Sequence, residues 1–440
     1  MSSLREAPMR PYQWLVVAMC LLVNTADGFD FFVMGFVLPH LPADFAGGAV
    51  KGLLVSAGLV GIGLGALFVA PLADRFGRRT LLIAGLTVDV VGMVASALAP
   101  TAGVLLAARV LTGVGVGVLS ATYIVLATEF SSARRHNLVV GIIGVGFPLG
   151  STLAGAVGLA VTVDGGDWRA LFWAGAALSL AVLVASVVLV PESLEFLAAR
   201  RDPRSRERAR RLARRLRLDA PPEPGPAATA PDRAPRGGLP ALLAPPLRAV
   251  TLLLWLGYFG LLAAFYFVST WTPQLVTLAG GDAARGALTG TVLSVGGVLG
   301  SLLFGIIGLR VGATRVAWIA LAVAALGVVV FSLTVSSPAA VWVGGILGLA
   351  VFVTVAAFTA LAPPRYPVHL RASGYGAMLG VGRVGGIVAP VLAGAALAVV
   401  SPAAMYLASA LPLLLAFVAA LALARRTTTP ATARRRAARH

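Results

Sequence analysis

Twelve stretches of this chain are each apolar for long enough to cross a bilayer, and they decide most of what it can fold into. A helix needs about 20 such residues to cover roughly 30 Å of hydrocarbon. Runs of that length fall near residues 14–39, 51–72, 80–99, 103–127, 138–162, 169–190, 249–273, 287–308, 316–335, 340–362, 373–399 and 403–424. Lipid offers backbone groups no hydrogen-bond partner, so each run must satisfy its own as a helix, and the two-residue alternation of a barrel strand is absent. Composition agrees, with 58% hydrophobic and 12% charged residues against about a quarter charged in a soluble domain. The expected fold is an all-α integral membrane protein. The first run follows Arg5 and Arg10 as a signal peptide would, but it is too long, carries two acids and lacks a small-residue cleavage site, so it reads as a retained helix.

Arginine placement sets the orientation, because cytoplasmic loops are enriched in basic residues. Arg75, Arg78, Arg79, Arg134, Arg135, Arg310, Arg315, Arg365 and Arg371 occupy alternate short loops. The opposite loops carry Asp44, Asp164, Asp167 and Asp282 with only Lys51, Arg169 and Arg285. A multi-pass protein of the cell (inner) membrane with both termini cytoplasmic is expected. The same rule accounts for the net charge of +18, so nucleic acid is not an expected partner. Cys20 is the single cysteine; it allows no internal disulfide and no ligand cluster, and neither a cofactor nor a metal is expected.

The hydrophobic pattern breaks once, between Pro191 and about Arg248. This gives a first six-helix bundle over 1–190, an Arg- and Pro-rich cytoplasmic linker over 191–247, a second six-helix bundle over 248–424 and a basic tail over 425–440. Within the linker, Arg200 to Arg217 reads as a basic helix able to lie on anionic lipid, and Pro221 to Pro235 as an extended segment. The two halves look like copies. Ala70-Pro-Leu-Ala-Asp-Arg-Phe-Gly77 matches Gly305-Ile-Ile-Gly-Leu-Arg-Val-Gly312, 235 residues later, with Arg and Gly in register. Arg135, Gly144-Val-Gly146 and Gly150 match Arg371, Gly380-Val-Gly382 and Gly386 at an offset one residue greater. A nearly constant offset together with the 6+6 pattern supports an internal duplication and two pseudo-symmetric bundles.

Ionisable groups inside the spans are costly and point to function. Asp27 and Asp30 lie three apart in the first span, so on a helix they share a face, and Gly28 between them allows local loosening or a close backbone approach. Carboxylates placed there suit a proton carried neutral and released charged; the bland alternative is a fixed ion pair with an arginine of another helix. Arg109 in the fourth span and Arg383 in the eleventh can each fork onto a carboxylate, either a protein acid or an anionic cargo. The acids crowd the half that holds Arg109, which favours coupling there, and no acid shares the membrane half of Arg383, which favours a cargo carboxylate. Glu129 at the inner end of the fourth span and Asp89 in the third are further acids, Asp89 also readable as a simple helix contact. Tyr258, Tyr266 and Trp271 of the seventh span offer flat walls for a ring.

Pro71-Leu-Ala-Asp-Arg-Phe-Gly-Arg-Arg79 resembles the loop signature of the major facilitator superfamily, with Ala70 where a glycine is usual. Arg109-Val-Leu-Thr-Gly113 and Pro191-Glu-Ser193 are similar to further traces of it. The resemblance implies that fold, and it implies conformational-switch roles for Asp74, Arg75, Gly77, Arg78 and Arg371. Asp27-Gly-Phe-Asp30, Thr128-Glu129-Phe130, Gly146-Phe-Pro-Leu-Gly150, Ser269-Thr-Trp-Thr-Pro273 and Gly380-Val-Gly-Arg383 resemble the aromatic acid:proton symporters within that superfamily. By that resemblance Asp27, Asp30, Arg109 and Glu129 would couple protons. Arg383 carries over as well, as the residue suited to a cargo carboxylate, and Tyr266 and Trp271 join it as substrate-binding candidates on residue type. In the second loop copy Leu309 replaces the acid.

The reading is a proton-driven importer of small aromatic carboxylates, benzoate-like or hydroxylated, working by alternating access. Its expected partners are a small organic anion, a proton and the lipid bilayer, and the chain is expected to act as a monomer. The rivals are a symporter for another organic anion, such as a dicarboxylate or sugar acid, and a drug:proton antiporter. No catalytic constellation or folded signalling domain is visible, so an enzyme is not expected.

Overall fold

The computed structural model describes residues 9–132, 135–163, 166–200, 202–216, 238–367 and 370–427. The proline-rich stretch 221–235, Arg134, Asp164, His369 and the Arg434–Arg436 tail lie outside the described residues, as do the side chains of Asp74, Leu309 and Arg310. Among the described residues twelve helices are long and apolar enough to cross a membrane. In the first half they are α1 (Pro11–Val37), α2 (Gly48–Leu64), α3 (Arg78–Ala97), α4 (Ala102–Glu129), α5 (His136–Val163) and α6 (Arg169–Leu189). In the second they are α7 (Pro245–Leu278), α8 (Ala283–Val311), α9 (Ala313–Thr334), α10 (Ala340–Leu361), α11 (Arg371–Ala396) and α12 (Ala410–Thr427), the last preceded by a short helix, Pro402–Ala408.

Several helices exceed the apolar runs that mark them, because polar caps extend the ends. Pro11 opens α1 at a position where a missing N–H costs nothing. The Thr101 side chain accepts from the Val104 N–H at the start of α4, and Asp282 accepts from the Arg285 N–H at the start of α8. The longest helix, α7, runs 34 residues against the 25 expected, since Leu275, Val276 and their neighbours continue the buried face past Pro273.

The chain divides into two compact units, Met1–Arg233 and Ala234–His440. In the first, α1 packs on α4, α5 and α6, α2 on α4, and α3 on α4 and α6. The second repeats several of these contacts six helices on: α7 on α11, α8 on α10, and α9 on α10 and α12. Apolar side chains gain little by leaving lipid for another helix, so close backbone contact has to supply much of the packing energy. Gly28 of α1 lies against the Phe147 carbonyl of α5, where an added Cβ would overlap that carbonyl, and Gly150 of α5 lies equally tightly against Thr25. Of the two uses open to Gly28, close approach is the one realised, and α1 stays helical through it.

The duplicated loop is repeated in backbone conformation as well as sequence. Gly77 ends a short helix, Ala73–Phe76, and opens α3 with φ 99°, ψ 152°. Gly312, its counterpart, links α8 to α9 with φ 85°, ψ 136°. Both values are ordinary for glycine and strained for any residue with a Cβ. Surroundings differ: a Cβ at 77 would also meet the Glu192 carboxylate and Phe196, whereas nothing lies within 4 Å of one at 312. Gly77→Ala is therefore expected to lower the melting temperature more than Gly312→Ala, which pays the backbone term alone, about 1–2 kcal/mol; equal losses in a thermal scan would contradict this reading of the loop.

After α6 come helices Leu194–Ala199 and Pro203–Arg215, which pack within the first unit. Ala209, Leu212, Ala213 and Leu216 recur at helical spacing, and that stripe is buried on protein instead of resting on lipid. Leu212 and Leu216 join Leu194 and Leu197 in one cluster with Val16, Cys20 and Val182. Asp202 caps the basic helix, and hydrogen bonds from Ser205 hold its carboxyl below the usual carboxylate range.

Candidate functional site

Two acids one turn apart on α1 meet one arginine and one tyrosine from α4. The Arg109 guanidinium donates from Nη1 to Asp30 Oδ1 at 2.7 Å and from Nη2 to the Asp30 backbone carbonyl at 2.8 Å. Both side chains are all but sealed from solvent, at 3% and 2% exposure, and the guanidinium stands 5.9 Å from the centre of the Phe172 ring. Tyr123 donates its hydroxyl to Asn24 Oδ1 at 2.8 Å and reaches Asp27 Oδ2 at 3.4 Å. Asn24 in turn donates to the Ile143 carbonyl at 2.6 Å, tying the acidic turn to α5. Fourteen residues, about 21 Å along α4, separate Arg109 from Tyr123, yet both tips end on adjacent acids of α1. The two long side chains converge on one turn.

A third acid joins them. Asp89 of α3 is wholly buried, accepts a 2.6 Å hydrogen bond from the Ser179 hydroxyl of α6, and stands within electrostatic reach of Asp30, Arg109 and Asp27. Sequence ranks it low because no partner for it is visible within its own helix; its partners come from three other spans. Tyr123, Asn24 and Ser179 carry no sequence signal beyond the spacing of Asn24 one turn before Asp27.

Glu129 stands apart from this cluster. It lies twenty residues beyond Arg109 on α4, about 30 Å along the axis, and its Oε1 is 3.4 Å from Arg78 Nε. Beside it the Glu192 carboxylate accepts from the Arg79 N–H at 3.0 Å and the Ser193 N–H at 2.9 Å. This places an anion at the positive end of α3. Arg79 donates to the Val187 carbonyl at 2.6 Å, and Arg200 donates to the Arg75 carbonyl at 2.6 Å. The loop after α2 is thus tied to the end of α4 and to the segment after α6. Glu129 belongs with Arg75, Gly77 and Arg78 in this latch, and Arg371 is an exposed residue opening α11. In the second unit, Arg365 takes the place of Glu129 in the repeat and donates to the Leu423 carbonyl at 3.1 Å and Thr314 Oγ1 at 3.2 Å.

The second unit holds the cation expected to meet cargo. The Tyr258 ring of α7 covers Gly382 of α11, and the Tyr266 ring covers Gly386, each so closely that a Cβ would overlap the ring. Arg383 lies between those glycines, half-buried and within electrostatic reach of Tyr258. Among the described residues it makes no ion pair or hydrogen bond. From Ala234 onward the sequence contains a single acid, Asp282, and that side chain caps α8. Trp271, expected beside the cargo, is 0% exposed and packs inside the unit. It sits five residues past Tyr266, about 140° around the helix, so the two rings cannot share a face.

Comparison with known proteins bears on the same arrangement. The sequence description of the Major Facilitator Superfamily matches residues 20–390. A gallate transporter of Pseudomonas putida is 34% identical over 432 residues, covering 94% of this chain and 92% of the relative. A 4-hydroxybenzoate transporter of Pseudomonas aeruginosa is 32% identical, covering 86% and 85%. The E. coli xylose transporter XylE, in a partially occluded inward-open conformation, matches in fold with a TM-score of 0.72 at 17% identity, covering 93% of this chain and 97% of that one. Twelve membrane-spanning helices in this pattern, with a superfamily match over most of their length, establish that the chain is a transporter belonging to the Major Facilitator Superfamily.

Proposed function

We propose that this transporter imports small aromatic carboxylates, benzoate- or hydroxybenzoate-like, together with protons by alternating access across the cell membrane, with both termini in the cytoplasm. The observation that carries the coupling is the grouping of three buried carboxyls, Asp27, Asp30 and Asp89, around the single guanidinium of Arg109. Three ionised acids beside one cation would leave net negative charge in a dry interior, a costly state that a bound proton relieves. Placed on Asp30, that proton would free Arg109 and loosen the hold of α4 on α1. The latch of Arg78, Glu129 and Glu192 then serves the change of conformation rather than the proton.

Arg383 receives the cargo carboxylate. It has no acid of its own unit to pair with, and Tyr258 and Tyr266 beside it supply ring faces. The gallate and 4-hydroxybenzoate transporters named above support the substrate class. Carrying an anion with at least one proton keeps the loaded protein from moving net negative charge against the membrane potential.

Proteoliposomes test the reading. Labelled 4-hydroxybenzoate is expected to accumulate under an imposed inward proton gradient, with unlabelled gallate competing and succinate not. Uptake unaffected by the gradient, or competition by succinate alone, would contradict it; gradient-driven efflux would favour the antiporter. At fixed internal pH, uptake is also expected to fall as external pH rises from 6 to 8. The cargo carboxyl titrates near about pH 4 and stays ionised throughout, so the decline reports the proton as co-substrate.

A further inference from the structure

In the acidic cluster a buried donor and a buried acceptor are left over. Arg109 spends Nη1 and Nη2 on Asp30, but its Nε–H has no hydrogen-bond partner. Asp89 spends Oδ2 on the Ser179 hydroxyl, and its Oδ1 has none. A sealed donor and a sealed acceptor each forfeit a hydrogen bond, a costly arrangement that native interiors rarely keep without a use. Here they lie in the same cluster, the donor on a guanidinium and the acceptor on a carboxyl.

Backbone packing keeps them close. A Cβ on Gly92 of α3 would overlap Thr112 of α4, and one on Gly115 of α4 would come within 3.0 Å of the Asp89 backbone nitrogen. The Asp89 backbone therefore meets α4 at Gly115, six residues and about 9 Å along the axis from Arg109, whose carbonyl accepts from Thr112. The charged groups around Asp89 are Arg109 on α4 and Asp30 and Asp27 on α1. From α6 the contact is the neutral Ser179. Ser179 donates to one carboxylate oxygen, which leaves the other an acceptor with no donor.

We propose that Asp89 is the second seat of the Arg109 guanidinium, a positioning residue that takes the cation when Asp30 gains a proton. A proton adds to the Asp30 carboxylate, the ion pair to Arg109 loses its charge, and the guanidinium moves to the unused oxygen of Asp89. No covalent bond other than O–H forms. The guanidinium remains paired in both states, so neither leaves that cation buried without an acid. Its movement transfers the grip of α4 from α1 to α3, which turns occupancy by a proton into a change in helix contacts. The inference rests on the proton-coupling reading, but its test requires no transport.

The test is a double-mutant cycle in melting temperature. Cys20, buried and the single cysteine, reports unfolding through a thiol-reactive dye. Asp30→Asn imitates the protonated acid. The proposal expects Asp30→Asn and Asp89→Asn each to melt within a few degrees of the parent, since each leaves Arg109 one carboxylate. The double variant is expected to melt more than about 5 °C below the sum of the single effects. Asp30→Asn with Asp89→Glu restores an acid and is expected to recover most of that loss, which a merely structural role for Asp89 would not produce. Additive losses overturn the proposal, as does equal damage in the Asn and Glu double variants. A non-additive loss in Asp27→Asn with Asp30→Asn, and not with Asp89→Asn, assigns the second seat to Asp27 and overturns it too. Failure of the protein to accumulate aromatic acids would refute the transport reading and leave this cycle unaltered.

Discussion

Asp30→Asn is expected to abolish gradient-driven accumulation of an aromatic acid while leaving exchange of labelled for unlabelled cargo across proteoliposomes in place. The asparagine keeps the size of Asp30 and its backbone carbonyl, which supplies one of the two contacts to Arg109. What it loses is the ability to change charge. With one proton per cargo, each pH unit of gradient supports about a tenfold concentration ratio, and that ratio should fall to unity in the variant. Arg109→Met should do worse. It strips the guanidinium from a carboxylate only 2% exposed, and breaking a buried pair costs about 3–5 kcal/mol, enough to lower yield of folded protein as well as transport. Retained accumulation in Asp30→Asn would remove this acid from the coupling machinery.

The second large effect lies at the other arginine and has the opposite stability signature. Arg383→Ala is expected to raise the half-saturation concentration for 4-hydroxybenzoate about 10- to 100-fold, the worth of a charge-assisted hydrogen bond of roughly 1.5–3 kcal/mol. Because no acid of the second unit pairs with Arg383, its removal leaves no orphaned partner and the melting temperature should hold or rise. Arg383→Lys keeps the charge but loses the fork, and should fall between. A large loss of stability with unchanged affinity would make Arg383 a structural residue. Affinity measured by competition in exchange, where gradient coupling plays no part, separates this from the Asp30 effect.

Helix number, the 6+6 pattern and the duplication are legible in sequence because each rests on local chemistry: a span must be apolar over its own length, and Gly77 and Gly312 mark their loops by the backbone they must adopt. The acids on α1 are legible for the same reason, since an ionisable group in an apolar run stands out alone. Assigning partners is harder, because contacts across spans depend on the rotation and depth of each helix. Asp30 rather than Asp27 takes Arg109, Asp27 faces Tyr123, and Asp89 joins from α3 through a serine on α6. Sequence reads Glu129 as a third coupling acid beside Asp27 and Asp30, but depth along α4 places it with Arg78. Residue type draws Trp271 toward the cargo, but the helical angle separates it from Tyr266 and it is fully buried. The basic helix after α6 shows the converse: an amphipathic pattern specifies which face is buried, not whether lipid or protein covers it.

The central claim is that aromatic acid and proton cross together. Its most direct test is a pH electrode in a weakly buffered suspension of proteoliposomes holding the purified transporter, with labelled uptake recorded in parallel. Adding 4-hydroxybenzoate outside should make the medium alkaline as cargo enters, at a fixed ratio of protons to cargo, with the pH change absent in Asp30→Asn. Cargo entry with no accompanying proton uptake would contradict the account.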